Sequence, residues 1–339
     1  MNLSSKKKKI NYGVEILRMI LAFLVIMEHF FYLKNFKVKR IPFKLRFHVP
    51  TFFMISFYYL YNNLVNRKIY KIKERLKRLL IPYLLYPIII YIAYYSLYFF
   101  FHYENLRTNL YQLIIQLIVG RLLNSVLWFQ FNLILITLLF CIIVFKFQNN
   151  YLSFLQTLGI LAYLFQFSNI NYEYFKMYKD YIRFSVGYFA ETIPFAVTGL
   201  YIASKDIINK LKKNRFLTLY FSILFLFILF KYTIFITPHG FGKQGIFFNI
   251  EAFLFFLIFS LIPFDYHNEK ILIFIKYLTS FTPGVYFLHT KIYLIFKGKI
   301  TLIKEHTFSG CLLIYLACYL VSFIGYNIFK KNILKHLFI

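Results

Sequence analysis

Apolar runs of about twenty residues, separated by short polar or basic stretches, follow one another along this 339-residue chain. The first extends from Tyr12 to Leu33 and the second over about 48–65. The others cover about 79–101, 128–145, 151–168, 184–203, 216–236, 246–263, 281–296 and 309–329. Runs of about this length suit single helices crossing a hydrocarbon layer of about 30 Å, the ninth being the shortest. An amphipathic piece at 270–280 precedes the ninth run. The pattern predicts an all-α, polytopic membrane protein with ten transmembrane helices in a single domain over 1–339, without internal repeats. Pro82 falls near the start of the third span, where its missing N–H costs least. Residues 102–126 read as a loop carrying an interfacial helix, 169–183 as a loop, and Thr237-Pro238-His239-Gly240 as a turn.

Charge orients this arrangement. Lys6–Lys9, the cluster from Arg67 to Arg78, the segment from Lys205 to Arg215 and the tail from Lys330 all fall on one side of the ten spans. Basic loops stay inside, so both termini are expected in the cytoplasm and the chain in the cytoplasmic (inner) membrane. The stretch from Lys34 to Arg46, on the other side, is basic too, so the bias has the expected sign without being absolute. The run behind Lys6–Lys9 is too long for a signal-peptide core and lacks a small-residue cleavage site; it reads as a retained span. Lys231, inside the seventh span, is placed to snorkel outward.

Composition fits: 60% of residues are hydrophobic and 23% aromatic. A net charge of +28 would suit nucleic acid. The basic residues sit in short clusters between apolar runs, however, where topology and anionic lipid account for them. Membrane lipid is therefore an expected partner and nucleic acid is not. Cys141, Cys311 and Cys318 lie within apolar runs at spacings that fit neither a disulfide framework nor a metal site, so no metal is expected.

Polar residues inside the first span carry the candidate chemistry. Arg18, Glu28 and His29 sit in an apolar helix, where an ionised group near the bilayer centre costs roughly 2.5–3.5 kcal/mol. Eleven residues separate Arg18 from His29, which returns the histidine to within roughly 20° of the arginine, about 16 Å further along the axis. One helix face thus holds a cation near one membrane surface and an imidazole towards the other, a geometry suited to a site reached from both sides. Glu15, three residues before Arg18, is placed to pair with it, whereas Glu28 lies about 100° round the helix from His29. Arg75 and Arg78, three apart, present two guanidinium forks on one face, where they can grip phosphate oxygens or simply anchor the loop.

Several segments in order complete the picture. They are Val14-Glu15-Ile16-Leu17-Arg18 followed, after ten intervening residues, by His29, Phe47-His48-Val49-Pro50 running to Ser56, and Arg75 to Tyr83. Then come Trp128-Phe129, Ile193-Pro194-Phe195 with Gly199, and Gly284-Val285-Tyr286-Phe287-Leu288-His289. Together they resemble the acyltransferase-3 family of multi-pass membrane O-acyltransferases of the polysaccharide-modifying type. Phe57, Val126 and Thr282-Pro283 depart from the family pattern.

The resemblance implies transfer of an acyl group, usually acetyl, from cytoplasmic acetyl-CoA or another acyl-CoA to a hydroxyl of a cell-surface or lipid-linked polysaccharide. His29 then serves as the base or nucleophile, Arg18 holds the donor or polarises its thioester, and Arg75 and Arg78 bind the CoA phosphates. His48, Ser56, Trp128, Glu191, Glu251 and His289 are further substrate-site candidates, each with an alternative role in packing, pairing or interfacial anchoring. The competing class is an exporter or flippase of a glycan or lipid-linked sugar, with the same charged groups lining a conduit.

Overall fold

The computed structural model describes residues 11–33, 47–101, 114, 117, 127–167, 181–236, 245–263, 269–296 and 307–338. Among them there is no strand. The helices are α1 Tyr12–Leu33, α2 His48–Val65, α3 Ile69–Phe101, α4 Leu127–Lys146, α5 Tyr151–Phe167 and α6 Tyr181–Ser204. Then follow the short α7 Ile207–Leu211, α8 Arg215–Ile236, α9 Gly245–Leu261, α10 Glu269–Ser280, α11 Thr282–Phe296 and α12 Thr307–Phe329. 3₁₀ turns at Lys212–Asn214 and Ile333–Leu337 follow α7 and α12.

Among the described residues, three stretches are long and apolar enough to cross a membrane: Leu127–Lys146, Ile207–Phe230 and Phe308–Phe329. α10 and α11 meet at 48° and together make a fourth, broken, candidate. The second of these stretches turns most of its side chains outward, with Phe216, Tyr220 and Phe227 among the most exposed apolar residues, as a lipid-facing helix does.

Two segments differ from the sequence reading. The basic cluster before the third span is not a connector: Lys71 to Arg78 form the first turns of α3 itself. Lys and Arg have high helix propensity, and the apolar run behind them propagates the helix back through the cluster. The segment from Lys205 to Arg215 is likewise structured, as α7 and a 3₁₀ turn entered through Asp206 at φ 52°. Of the segment read as loop with interfacial helix, only Ile114 and Leu117 are described, and the Leu117 carbonyl accepts a hydrogen bond from the Tyr83 hydroxyl at 2.8 Å. The loop expected over 169–183 is corrected at its end, since Tyr181 already begins α6; residues 169–180, the stretches 34–46 and 237–244, the Lys6–Lys9 cluster and the Lys231 side chain lie outside the described residues.

Contacts between helix ends show that the chain doubles back repeatedly. Asn11 Nδ2, at the start of α1, donates to the Ser260 carbonyl at the end of α9 at 3.1 Å. The Tyr61 and Tyr151 hydroxyls join the last turns of α2 to the start of α5 at 3.3 Å. Arg67 lies over the Phe145 ring near the end of α4. This end, which also holds the first turns of α3 and the 3₁₀ turn packed against them, is the basic end of the bundle.

Among the described residues, α2 packs most extensively against α6. Gly199 makes it possible: a Cβ there would fall on the Met54 carbonyl oxygen of α2. Aromatic rings fill much of the remaining interior, with Phe47 stacked on Phe255 at 4.2 Å and Phe57 edge-on to Phe140 at 5.1 Å. This packing holds the first half of α1, the middle of α2 and the start of α3 around one cavity.

Candidate active site

The cavity opens within the basic half of the bundle and has a volume of about 580 Å³. Arg18, Arg75, Arg78 and Lys276 line it, with Glu15 as its one carboxylate, so the wall carries a surplus of three positive charges. Deeper in, Phe52, Ile55, Leu79, Pro82, Phe129 and Leu133 make it apolar. Such a gradient suits a long ligand with an anionic head and an uncharged arm.

The cations are held differently. Arg18 Nη1 donates to Glu15 Oε2 at 2.9 Å, one turn earlier, which fixes its fork on the cavity face of α1. Arg75 turns inward: Nη2 donates to Ser56 Oγ at 2.8 Å, Nε to Thr137 Oγ1 at 3.3 Å, and the guanidinium lies 5.4 Å from the centre of the Phe57 ring. It ties α3 to both α2 and α4. Arg78, one turn further on, is exposed, with Nε donating to the Glu74 carbonyl at 3.4 Å. The two arginines share a helix face, but one is an internal tie and the other stands at the mouth.

Two buried polar atoms on the wall have no hydrogen-bond partner: Gln130 Oε1 and Thr282 Oγ1. Gln130 is oriented by its own Nε2, which donates to the Leu79 carbonyl at 2.5 Å. Leaving such an atom unsatisfied costs about 1–3 kcal/mol, which a ligand N–H can recover. Thr279, Ser280 and Lys276 reach the wall from the corner between α10 and α11.

Beyond the cavity lie the histidines. The His29 and His289 rings are 5.0 Å apart, centre to centre, inclined at 45°. His289 is 1% exposed and its Nδ1 lies 2.7 Å from the Tyr286 carbonyl oxygen. His48 is almost as buried, with Nε2 2.9 Å from Glu28 Oε2. Glu28 therefore pairs with His48 of α2. His29 is not among the residues lining the cavity. Tyr286 links the two: it lines the cavity, and its ring is 5.1 Å from that of Phe129 and 6.0 Å from that of His289. Phe52, Phe129 and Tyr286 line the chamber on the side of the histidines.

The remaining candidates are dispersed. Ser56 lines the cavity as the acceptor for Arg75. Trp128 stacks on Tyr188 at 4.3 Å, between α4 and α6. Glu191 lies one turn beyond that tyrosine, and Glu251 is buried in α9; neither lines the cavity. Sequence reasoning missed Gln130, Lys276, Thr282 and Tyr286. The amphipathic period of 270–280 was the available signal for Lys276, but neutral polar residues in an apolar run announce nothing until the opposite wall is known.

At the basic end, His336 in the C-terminal 3₁₀ turn is buried. Burial and the neighbouring Lys335, Lys77 and Arg78 charges hold its pKa below the ordinary 6.5.

Apolar helices packed around a cation-lined interior chamber describe a multi-pass membrane protein. The acyltransferase-3 model, described as an acyltransferase domain, matches residues 11–328, and the chain belongs to that family: it is a membrane acyltransferase. No curated protein and no solved structure gives a match.

Proposed function

We propose that the protein transfers an acyl group, acetyl in the simplest case, from cytoplasmic acyl-CoA to a hydroxyl of a cell-surface or lipid-linked polysaccharide. The observation that carries this reading is the chamber, cationic at the basic end and apolar towards His29. Arg78 and Lys276 receive the CoA phosphates, while Arg75 holds α2, α3 and α4 together behind them. Gln130 Oε1 and Thr282 Oγ1 accept hydrogen bonds from the amide N–H groups of the pantetheine arm. Arg18, fixed by Glu15, faces the thioester end.

His29 is the general base. It takes the proton of the acceptor hydroxyl as the oxygen attacks the thioester carbonyl. The tetrahedral intermediate collapses with loss of the C–S bond, and the departing thiolate takes that proton back from the imidazolium as CoA thiol. The products are the glycan ester and free CoA, with no net change in protons. The ten helical runs, taking α10 and α11 as one bent span and the short α7 as the lead-in to α8, cross the cytoplasmic membrane as a single domain with both termini inside. Membrane lipid surrounds the bundle and no metal takes part.

A mutant pair tests this. His29→Ala and Arg75→Ala should each lower base-labile ester on the surface glycan by at least about 100-fold, with glycan length and amount unchanged. Loss of surface glycan with unaltered ester per repeat would instead establish the exporter reading.

A further inference from the structure

The 3₁₀ turn after α12 ends against the outside of the chamber wall, where α3, α11 and α12 hold three successive residues. His336 is buried beside Glu74, Lys77 and Arg78 of α3. Leu337 is buried in the cluster that holds Tyr83 and Tyr86 of α3 together with Tyr286 and Phe287 of α11. Phe338 lies across α11 and α12 at two glycines. A Cβ on Gly284 would fall on the Phe338 carbonyl oxygen and on Ser322 Oγ, and one on Gly325 would fall on the Phe338 ring. The same ring lies parallel to that of Phe329, with centres 6.0 Å apart. Two helices that both lack a side chain where one aromatic residue lies make a fitted seat for it, since a close-packed interior has no other room.

None of the three residues lines the chamber, but their neighbours do: Arg78 and Leu79 on α3, and Thr282, Pro283, Tyr286 and Phe287 on α11. The α3 and α11 walls meet directly at Tyr86, whose hydroxyl donates to the Phe287 carbonyl at 2.8 Å. Tyr86 stands two helical turns beyond Arg78, about 12 Å further into the bundle. At the mouth, the segment 336–338 bridges the two walls.

We infer that residues 336–338 form a strap that positions the donor side of the chamber: seated, it holds Arg78 and the first turn of α11 at the spacing a donor needs; unseated, that spacing relaxes and donor affinity falls while the transfer step is unchanged. Affinity and seating are linked, and the linkage is reciprocal: a donor held between the walls favours the seated strap to the same extent. The strap is a positioning element and touches no substrate.

This role rests on the chamber being the acyl-CoA site, as proposed above, and the experiment keeps the two apart. The full-length protein, in lipid nanodiscs, is assayed with acetyl-CoA as donor and the host's isolated surface polysaccharide as acceptor. Phe338→Ala removes the ring and Gly325→Ala occupies its seat; the atoms that must give way to the new methyl belong to the ring, which can swing out, and not to backbone. Each variant should raise KM for acetyl-CoA about tenfold with kcat unchanged. Phe338→Leu, which keeps an apolar side chain in the seat, should fall closer to wild type than Phe338→Ala does. An unchanged KM in either alanine variant, or a loss confined to kcat, overturns the inference and leaves the strap as packing. Hydrogen exchange of the wild-type protein gives a result that depends on no variant folding: saturating acetyl-CoA should slow exchange over 335–338, although none of these residues lines the chamber. Protection of the chamber wall without protection of the strap overturns the inference alone. Absence of any protection in the chamber wall removes it as the donor site, and the role of the strap with it.

Discussion

Arg75 and Arg78 stand one helical turn apart, and their surroundings divide the work between them. Arg75 donates to Ser56 and Thr137 from two other helices, whereas Arg78 stands exposed at the chamber mouth. Arg78→Ala should therefore raise KM for acetyl-CoA about tenfold, the value of one charge-assisted phosphate contact, with the melting temperature unchanged. Arg75→Ala should lower the melting temperature in detergent as well as activity, because Ser56 Oγ and Thr137 Oγ1 lose the charged donor between them; equal melting temperatures in the two variants would contradict this division. Spacing alone showed that both arginines share a face, and the Glu15–Arg18 pair was equally legible from its three-residue separation. The partner of Glu28 was not: helix geometry excluded His29, but only the placement of α2 supplied His48.

Helix boundaries follow closely from the sequence, since an apolar run of membrane length admits few alternatives. What a hydropathy profile does not show is where two helices touch. Gly199 occupies such a point, and Gly199→Ala would drive its Cβ into the Met54 carbonyl, a backbone atom that cannot rotate away. The α2–α6 crossing should open at a cost of about 1–3 kcal/mol, seen as a lower melting temperature and a partial loss of activity. The C-terminal 3₁₀ turn gives a prediction in pH. His336 is held below its ordinary pKa of 6.5, so docking of this turn retains its full stability above pH 6.5 and loses it as pH falls through the lower folded value. Hydrogen exchange over 333–338 should accelerate on acidification in the wild type and become insensitive to pH beyond the intrinsic rate in His336→Gln. Undiminished pH sensitivity in the variant would dismiss His336 as the cause.

For the molecule as a whole, the sequence indicated an all-helical membrane bundle and the polar residues that distinguish it, because each is costly where it stands. It did not indicate the chamber. Half of the residues that line it are Phe, Leu, Ile, Pro and Tyr, indistinguishable in a chain with 46 Phe and 31 Tyr from those that meet lipid. Phe129 packs against Phe52, Phe53 and Tyr286 at this level. Phe129→Ala should open the chamber wall here and, on the proposed reading, raise hydrolysis of acetyl-CoA in the absence of polysaccharide several-fold, measured as free thiol; an unchanged background rate would mean these rings do not control access. An activated ester in contact with water is spent whether or not a sugar is waiting. In the proposed reaction, Phe52, Phe129 and Tyr286 would surround the thioester end with apolar rings and keep water from it until a sugar arrives.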